Sequence, residues 1–279
     1  MLNGLSVDVE EWFQVGAFER VIARSDWDSH ASRVEANTAA VLDLFAESGV
    51  KATFFTLGWV AQRHPRLVRR IADAGHEVAS HGWDHQRVFT MDAAAFRADL
   101  ARARAALEDA GGQAVTGYRA PSFSIDPRNL WAFDVLAEAG YAYSSSVAPV
   151  RHDHYGWPDA PRYAFRPLKD SALIELPVTV AKIGARHLAT GGGFFRLLPA
   201  ALTDFAVRQV NGEGHGGIFY FHPWEVDPGQ PRVADAPLRS KVRHYARLGA
   251  MAGKLRGLIA RHHWGRVDAV VAREAALLS

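Results

Sequence analysis

Two carboxylates, Asp8 and Glu10, stand at alternate positions in "SVDVEEW", residues 6–12. Along an extended strand that spacing sends both to one face and Val9 to the other. Paired acids on one face repel when both ionise, so a cation is expected between them. A solvated strand end is the plainer alternative. Glu11 competes with Glu10 for any role, but alternation puts it on the opposite face. Further along, "SHGWDH" holds His81 and His85 four positions apart. If the chain coils into a helical turn after Ser80, both imidazoles project from one side, as in helical zinc pairs. With Asp8 or Glu10 nearby, the set is two nitrogens and one carboxylate. That leaves positions open for water and substrate, the pattern of a catalytic metal.

Two later stretches offer complementary chemistry. In "YRAPSF" (118–123) Arg119 carries a planar fork of donors matched to a carboxylate. Pro121 stiffens that loop, whose backbone N–H groups are candidates to face a cleft; a structural salt bridge is the alternative for Arg119. In "FYFHPWE" (219–225) His222 follows an apolar strand, either as a proton donor or as a hydrogen-bonded core histidine. Trp224 in the same stretch and Trp157 in "RHDHYGWPDAPRYAFRP" (151–167) are aromatic faces suited to sugar rings or to packing.

The elements that must position these groups alternate between strand and helix. Strands are expected at Leu5–Val9, 51–58, 76–80, "AVTGYRAP", "YAYSSSV", "ALIELPVTV" (172–180) and "GIFYFH". Helices are expected over Val34–Ser48, Pro65–Ala74, Ala93–Ala110, Asn129–Ala139 and about 199–210. Pro65 suits a first helical turn, and Gly49, Gly75 and the Gly111-Gly112 pair mark helix ends. Residues 191–193 read as a glycine turn, and the chain from about Leu238 as one or two basic helices. Successive β–α units predict a parallel sheet or barrel. Asp8, Glu10, His81, His85, Arg119 and His222 then share the C-terminal edge of its strands, where such folds assemble active sites.

Composition bounds the rest. The chain has 279 residues, 48% hydrophobic and 22% charged, with a formal net charge of +2. That is an ordinary globular composition without the basic bias of a nucleic-acid partner. It contains no cysteine, so thiolate metal sites and disulfides are excluded, and its 13 histidines are the available nitrogen ligands. No run of 18 apolar residues indicates a membrane span, and "MLNGLSVDVEEWF" lacks the pattern of a signal peptide. The expectation is a cytoplasmic protein of one domain, residues 1–279. Its core would cover about 1–230, with a helical segment over 238–279 packed on it. The basic stretch 247–267 reads as an amphipathic helix on the barrel, with membrane-surface contact as the alternative.

Taken in order, Asp8-Val9-Glu10, His81-Gly-Trp-Asp-His85, Arg119-Ala-Pro121-Ser-Phe and Phe221-His222 resemble the polysaccharide deacetylase (NodB-like) family, carbohydrate esterase family four. The resemblance covers roughly residues 1–230. The details "DVEEWF", "RAPSFS", "GGGFFRLLP" and "FHPWE" look most like the subgroup associated with exopolysaccharide and PEP-CTERM/exosortase loci. It implies an α/β fold, a distorted (β/α) barrel holding a divalent metal, usually Zn2+, and removal of N-acetyl groups from amino sugars of an oligo- or polysaccharide. It further implies Asp8 as general base, His222 as general acid, and Glu10, His81 and His85 as metal ligands. Arg119 would orient Asp8, and Ser122 and Phe123 would meet the substrate, Ser122 through its backbone N–H. The first motif departs from the family's adjacent aspartates: Val9 intervenes and the second acid is glutamate. Two other functions use the same residues: hydrolysis of a small cyclic amide or ureide, and non-catalytic carbohydrate binding.

Overall fold

The computed structural model describes residues 1–152 and 155–278. Its strands are β1 (Leu2–Val9), β2 (Thr53–Thr56), β3 (Glu77–Ser80), β4 (Gly117–Tyr118), β5 (Tyr143–Ser144), β6 (Ile174–Glu175), β7 (Val180–Ile183), β8 (Arg186–Ala189), β9 (Ile218–Phe221) and β10 (His263–Gly265). Eight of them form one sheet in the order β10-β1-β2-β3-β4-β5-β6, with β9 on β1. Every pairing in that sheet is parallel. The helices are α1 (Val34–Glu47), α2 (Gly58–Arg63), α3 (Pro65–Asp73), α4 (Ala93–Gly111), α5 (Trp131–Glu138), α6 (Gly192–Leu197), α7 (Ala200–Gly212), α8 (Leu238–Tyr245), α9 (Met251–Ile259) and α10 (Val267–Ala275).

The sheet curls until the chain just beyond β6 meets β9. Thr179 clasps that seam: its N–H donates to the Ile218 carbonyl at 3.0 Å, and its Oγ1 accepts from the Ile218 N–H at 2.7 Å. The result is a distorted α/β barrel. Alternation sorts the side chains of β1. Leu5, Val7 and Val9 join the larger apolar cluster shared with the helices. Ser6, Asp8 and Glu10 alternate with them and are equally buried. On β9, Phe219 and Phe221 join that same cluster, whereas Ile218 and Tyr220 join a second one with Phe55 and Tyr143.

Local signals set most boundaries. The Asp92 side chain caps α4 by accepting from the Ala95 N–H at 2.8 Å, and Gly112 ends the helix in the left-handed region at φ 68°. Pro65 occupies the first turn of α3. Three expectations are corrected. The stretch 172–180 is no single strand: β6 ends at Glu175 and β7 begins only at Val180, with Pro177, which has no N–H to donate to a ladder, between them. Residues 191–193 are not a free glycine turn: Gly192 begins α6, and a Cβ there would fall 2.9 Å from the Tyr220 ring. The segment beyond Leu238 is not purely helical, since β10 pairs with β1 through Leu2–Gly4.

Candidate active site

In a parallel sheet all C-terminal strand ends open on one edge, and each motif terminates a strand there. Glu10 follows β1, His81 follows β3, Arg119 follows β4 and His222 follows β9, while Asp8 is the penultimate residue of β1. All but the fully buried Arg119 line a cavity of about 450 Å³, together with His85, Ser122, Phe123 and Trp224, among others.

Arg119 and Asp8 form one buried unit. The Arg119 Nη1 donates to Asp8 Oδ1 at 2.7 Å and to Ser6 Oγ at 2.8 Å. Its Nε and Nη2 reach the Ser145 carbonyl and hydroxyl at 3.1 and 3.0 Å. The guanidinium lies 4.0 Å over the Phe55 ring. The fork is thus engaged along its edges and covered by the Phe55 ring, so one oxygen of Asp8 is held in a single place.

Glu10, His81 and His85 form the second unit, with one ligand atom of each lying within 4.8 Å of the others. His81 Nδ1 lies 2.8 Å from the Arg119 carbonyl. A carbonyl only accepts, so Nδ1 carries the proton and Nε2 keeps its lone pair. Burial lowers the His81 pKa to about 4, keeping the ring neutral. Burial would raise the Glu10 pKa, but His85 and then His222 outweigh it and bring it to about 2. Glu10 Oε2 is buried with no hydrogen-bond partner, although His85 Nε2 lies only 2.9 Å away. A carboxylate oxygen and an imidazole nitrogen in such close reach, with His81 Nε2 beside them, are the atom types that a divalent cation takes as ligands. The donor set fits that group.

The histidine pair does not share a helical turn. Residues 81–85 form bends, with Gly82 at φ 76° and His85 at φ 61°, so the side-by-side placement comes from a left-handed backbone held from outside. The first N–H groups of α2 grip it: Gly58 donates to the Gly82 carbonyl at 2.9 Å and Trp59 to the Trp83 carbonyl at 2.8 Å. Both Asp99 oxygens accept from the Trp83 N–H, at 3.2 and 3.1 Å. Gly58 is required, since a Cβ there would lie 2.5 Å from the Trp83 ring and 2.9 Å from the Ala103 backbone.

His222 forms the third unit. Its Nδ1 lies 2.8 Å from Glu225 Oε1, and its Nε2 lies 3.7 Å from Glu10 Oε1. The Glu225 carboxylate accepts, so Nδ1 donates. Burial would lower the His222 pKa, but Glu10 and Glu225 together raise it to about 9, leaving the ring a proton donor at neutral pH. Behind it, fully buried Arg196 donates to Glu225 Oε2 at 2.9 Å and to the Arg243 carbonyl at 2.8 Å. Burial opposes ionisation of Glu225, but His222 and Arg196 prevail and its pKa is lowered.

The remaining expected residues divide. Ser122 and Phe123 line the cavity in consecutive left-handed conformations, φ 54° and 48°. The Phe123 ring packs edge-on against Tyr220, with centroids 4.7 Å apart. Trp224 reaches the cavity, yet its ring stacks on His222 and His244, and its Nε1 donates to Glu10 Oε1 at 3.1 Å. Trp157 does not line it: the ring packs edge-on to Phe165 against the apolar core. Tyr155, from the same loop, does line it, while Asp153 and His154 lie outside the described residues. Glu11 turns away and caps α1, accepting from the Arg33 N–H at 3.0 Å and the Val34 N–H at 3.3 Å. Sequence reasoning missed Glu225, Arg196, Ser145 and Asp99. Only Glu225 carried a signal, a carboxylate three residues after His222.

Residues 26–144 match the polysaccharide deacetylase family, and residues 145–272 match a domain of unknown function, DUF3473. A chitooligosaccharide deacetylase of Rhizobium leguminosarum bv. trifolii is 32% identical over 155 residues, 56% of this chain and 65% of the relative. A chitin deacetylase of Pestalotiopsis sp is 32% identical over 123 residues, 43% of this chain and 40% of the relative. The chain therefore spans less than two thirds of either relative's length. Among solved structures, a candidate polysaccharide deacetylase of Mycobacterium smegmatis superposes with a TM-score of 0.61 at 20% identity, covering 100% of this chain and 91% of that one. The Puue allantoinase gives the same TM-score, 0.61, at 17% identity over 99% and 90% of the two chains. Those two likenesses speak for the fold. The family assignment itself rests on the sequence matches, which place residues 26–144 in the polysaccharide deacetylase family.

Proposed function

We propose that the chain hydrolyses N-acetyl groups from amino sugars of an oligo- or polysaccharide, of the exopolysaccharide type, using a divalent cation. One observation carries the reading. The Glu10, His81 and His85 ligand atoms converge within 4.8 Å beside an Asp8 held by Arg119 and a His222 that Glu10 and Glu225 favour as a cation. Relatives named as chitooligosaccharide, chitin and peptidoglycan-N-acetylglucosamine deacetylases support the amino-sugar class.

An acetamide is a weak electrophile with a poor leaving group, so attack and departure both need assistance. Glu10, His81 and His85 would hold the cation, and the mix of two imidazoles and one carboxylate suits Zn2+. Such an ion supplies Lewis acidity and lowers the pKa of bound water to about 7. Asp8, fixed through Oδ1 by Arg119, takes the proton of the attacking water. The left-handed turn at Ser122 offers a backbone N–H to the developing oxyanion, a contribution of roughly 2.7–4 kcal/mol per donor. His222 Nε2 gives its proton to the departing amine, and Glu225 holds the ring so that Nε2 rather than Nδ1 faces the reaction. The aromatic wall of Phe123, Tyr155 and Tyr220 supplies apolar surface for a sugar ring.

The test is acetate release from N-acetylated oligosaccharides by protein stripped with chelator and then reloaded with zinc. Activity that returns with the metal supports the reading. Ring opening of a cyclic ureide without acetate release would replace it with amidohydrolysis, and saccharide binding without turnover would replace it with a binding role.

A further inference from the structure

The lip of the cavity is built by α8, which contributes Arg239, Ser240, Arg243 and His244 to the lining. The helix leaves Leu238 77% and Val242 56% exposed, the two most exposed large apolar side chains among the described residues. They are four positions apart, hence on one helical face. A shallow, almost wholly apolar groove joins them to Leu197 at the end of α6. Cations flank the ridge: Arg239 and Arg243 line that groove, Arg232 and Lys241 line a neighbouring shallow pocket with Val242, and with Arg247 they fall within sixteen residues that contain one acid, Asp235. The whole chain carries a net charge of only +2, so this lip concentrates positive charge that the rest balances. No helix among the described residues is long and apolar enough to cross a membrane.

From this juxtaposition we infer that α8 docks on an anionic lipid surface. Leu238 and Val242 enter the headgroup boundary, the neighbouring cations meet the lipid phosphates, and the cavity mouth lies at the bilayer. Short aliphatic anchors ringed by Lys and Arg are the pattern of an interfacial segment, in which apolar burial and charge attraction add. A second copy of this chain would not suit the patch, since its cations would face their own duplicates. The continuity of lip and cavity gives the docking a consequence for the deacetylase reading, on which this part rests: the saccharide would be one held at a membrane.

The experiment is flotation of the full chain with phosphatidylcholine vesicles, with and without about one-third phosphatidylglycerol. Binding is expected on the anionic vesicles only. It should weaken as salt rises from about 0.1 M to about 1 M, where the screening length falls from about 10 to about 3 Å. Leu238→Glu with Val242→Glu should reduce partitioning at least about tenfold. Neither residue lines the cavity, so acetate release from a soluble oligosaccharide should be unchanged, which also shows that the variant folds. Leu238→Trp should bind more tightly. Absent vesicle binding, binding indifferent to the double substitution, or a dimer in sedimentation that the substitution dissolves would each overturn the inference. Vesicle binding is read without turnover, so its outcome is independent of whether acetate is released.

Discussion

Trp224 Nε1 donates a hydrogen bond to Glu10 Oε1 at 3.1 Å, so an aromatic residue from beyond β9 aims a carboxylate from the end of β1. Oε1 is occupied by the indole, and Oε2 is left without a hydrogen bond next to His85 Nε2. Trp224, open to either a sugar-platform or a packing role from the sequence, thus acts on the Glu10 carboxylate. Trp224→Phe keeps the stack on His222 and His244 and removes only the donor. It should weaken zinc affinity about 10- to 100-fold, the usual cost of losing an outer partner of a metal ligand. Competition against a chelating dye measures this, and unchanged affinity would remove Trp224 from that role.

Zinc should stabilise the folded chain by mass action, about 2.7 kcal/mol at a hundred times its dissociation constant. His85→Ala and His81→Ala should abolish that response in denaturant melts and leave the purified protein without stoichiometric metal. Asp8→Asn should keep both metal and response while turnover falls about 10²- to 10⁴-fold. Loss of metal in Asp8→Asn would make Asp8 a ligand.

The pH profile carries the signature of Glu225. His222 has its folded pKa at about 9, above the ordinary 6.5 of histidine. Because the shift is upward, the stability it contributes is complete below 6.5 and is lost as pH rises through about 9. Activity that needs protonated His222 should fall on the same alkaline limb. A cation on Glu10 weakens that acid's attraction for His222 and moves the limb lower, but the Glu225 contribution persists. Glu225→Gln should therefore shift the limb towards 6.5 relative to wild type under equal metal loading. An alkaline limb that does not move would show that Glu225 is structural only.

Adjacent acids with unlike fates separate cleanly by mutation. Glu11 receives the N–H groups of Arg33 and Val34 and the Ser32 hydroxyl, so it caps α1 from a distance. Glu11→Ala should cost about 0.5–2 kcal/mol of stability with zinc stoichiometry retained. Glu10→Ala should do the reverse, emptying the metal site. Denaturant melts and elemental analysis on the pair decide it.

Much of this was legible in the residues. Alternation put Asp8 and Glu10 on one face and Glu11 on the other, and that is how β1 and its exit are built. Helix limits followed where a breaker stood in the chain, as at Gly112 and Pro65. What misled were cases in which backbone alone did the work. His81 and His85 meet through left-handed bends gripped by α2, not through helical periodicity. Trp157 and Trp224 share one residue type, yet one packs against the core and the other holds the Glu10 carboxylate.

By itself, the order of residues determined which side chains end the strands and which chemistry they carry, because side-chain alternation and strand punctuation are local. Only the tertiary structure decided that Arg119 meets Asp8 across 111 positions and that Trp224 meets Glu10 across 214. The same holds for Arg196, which is locked behind Glu225 by the Arg243 carbonyl of α8. Those contacts arise when a parallel sheet curls and brings distant strand ends to one rim. Their strength comes from burial in a low-dielectric interior, which no spacing along the chain encodes.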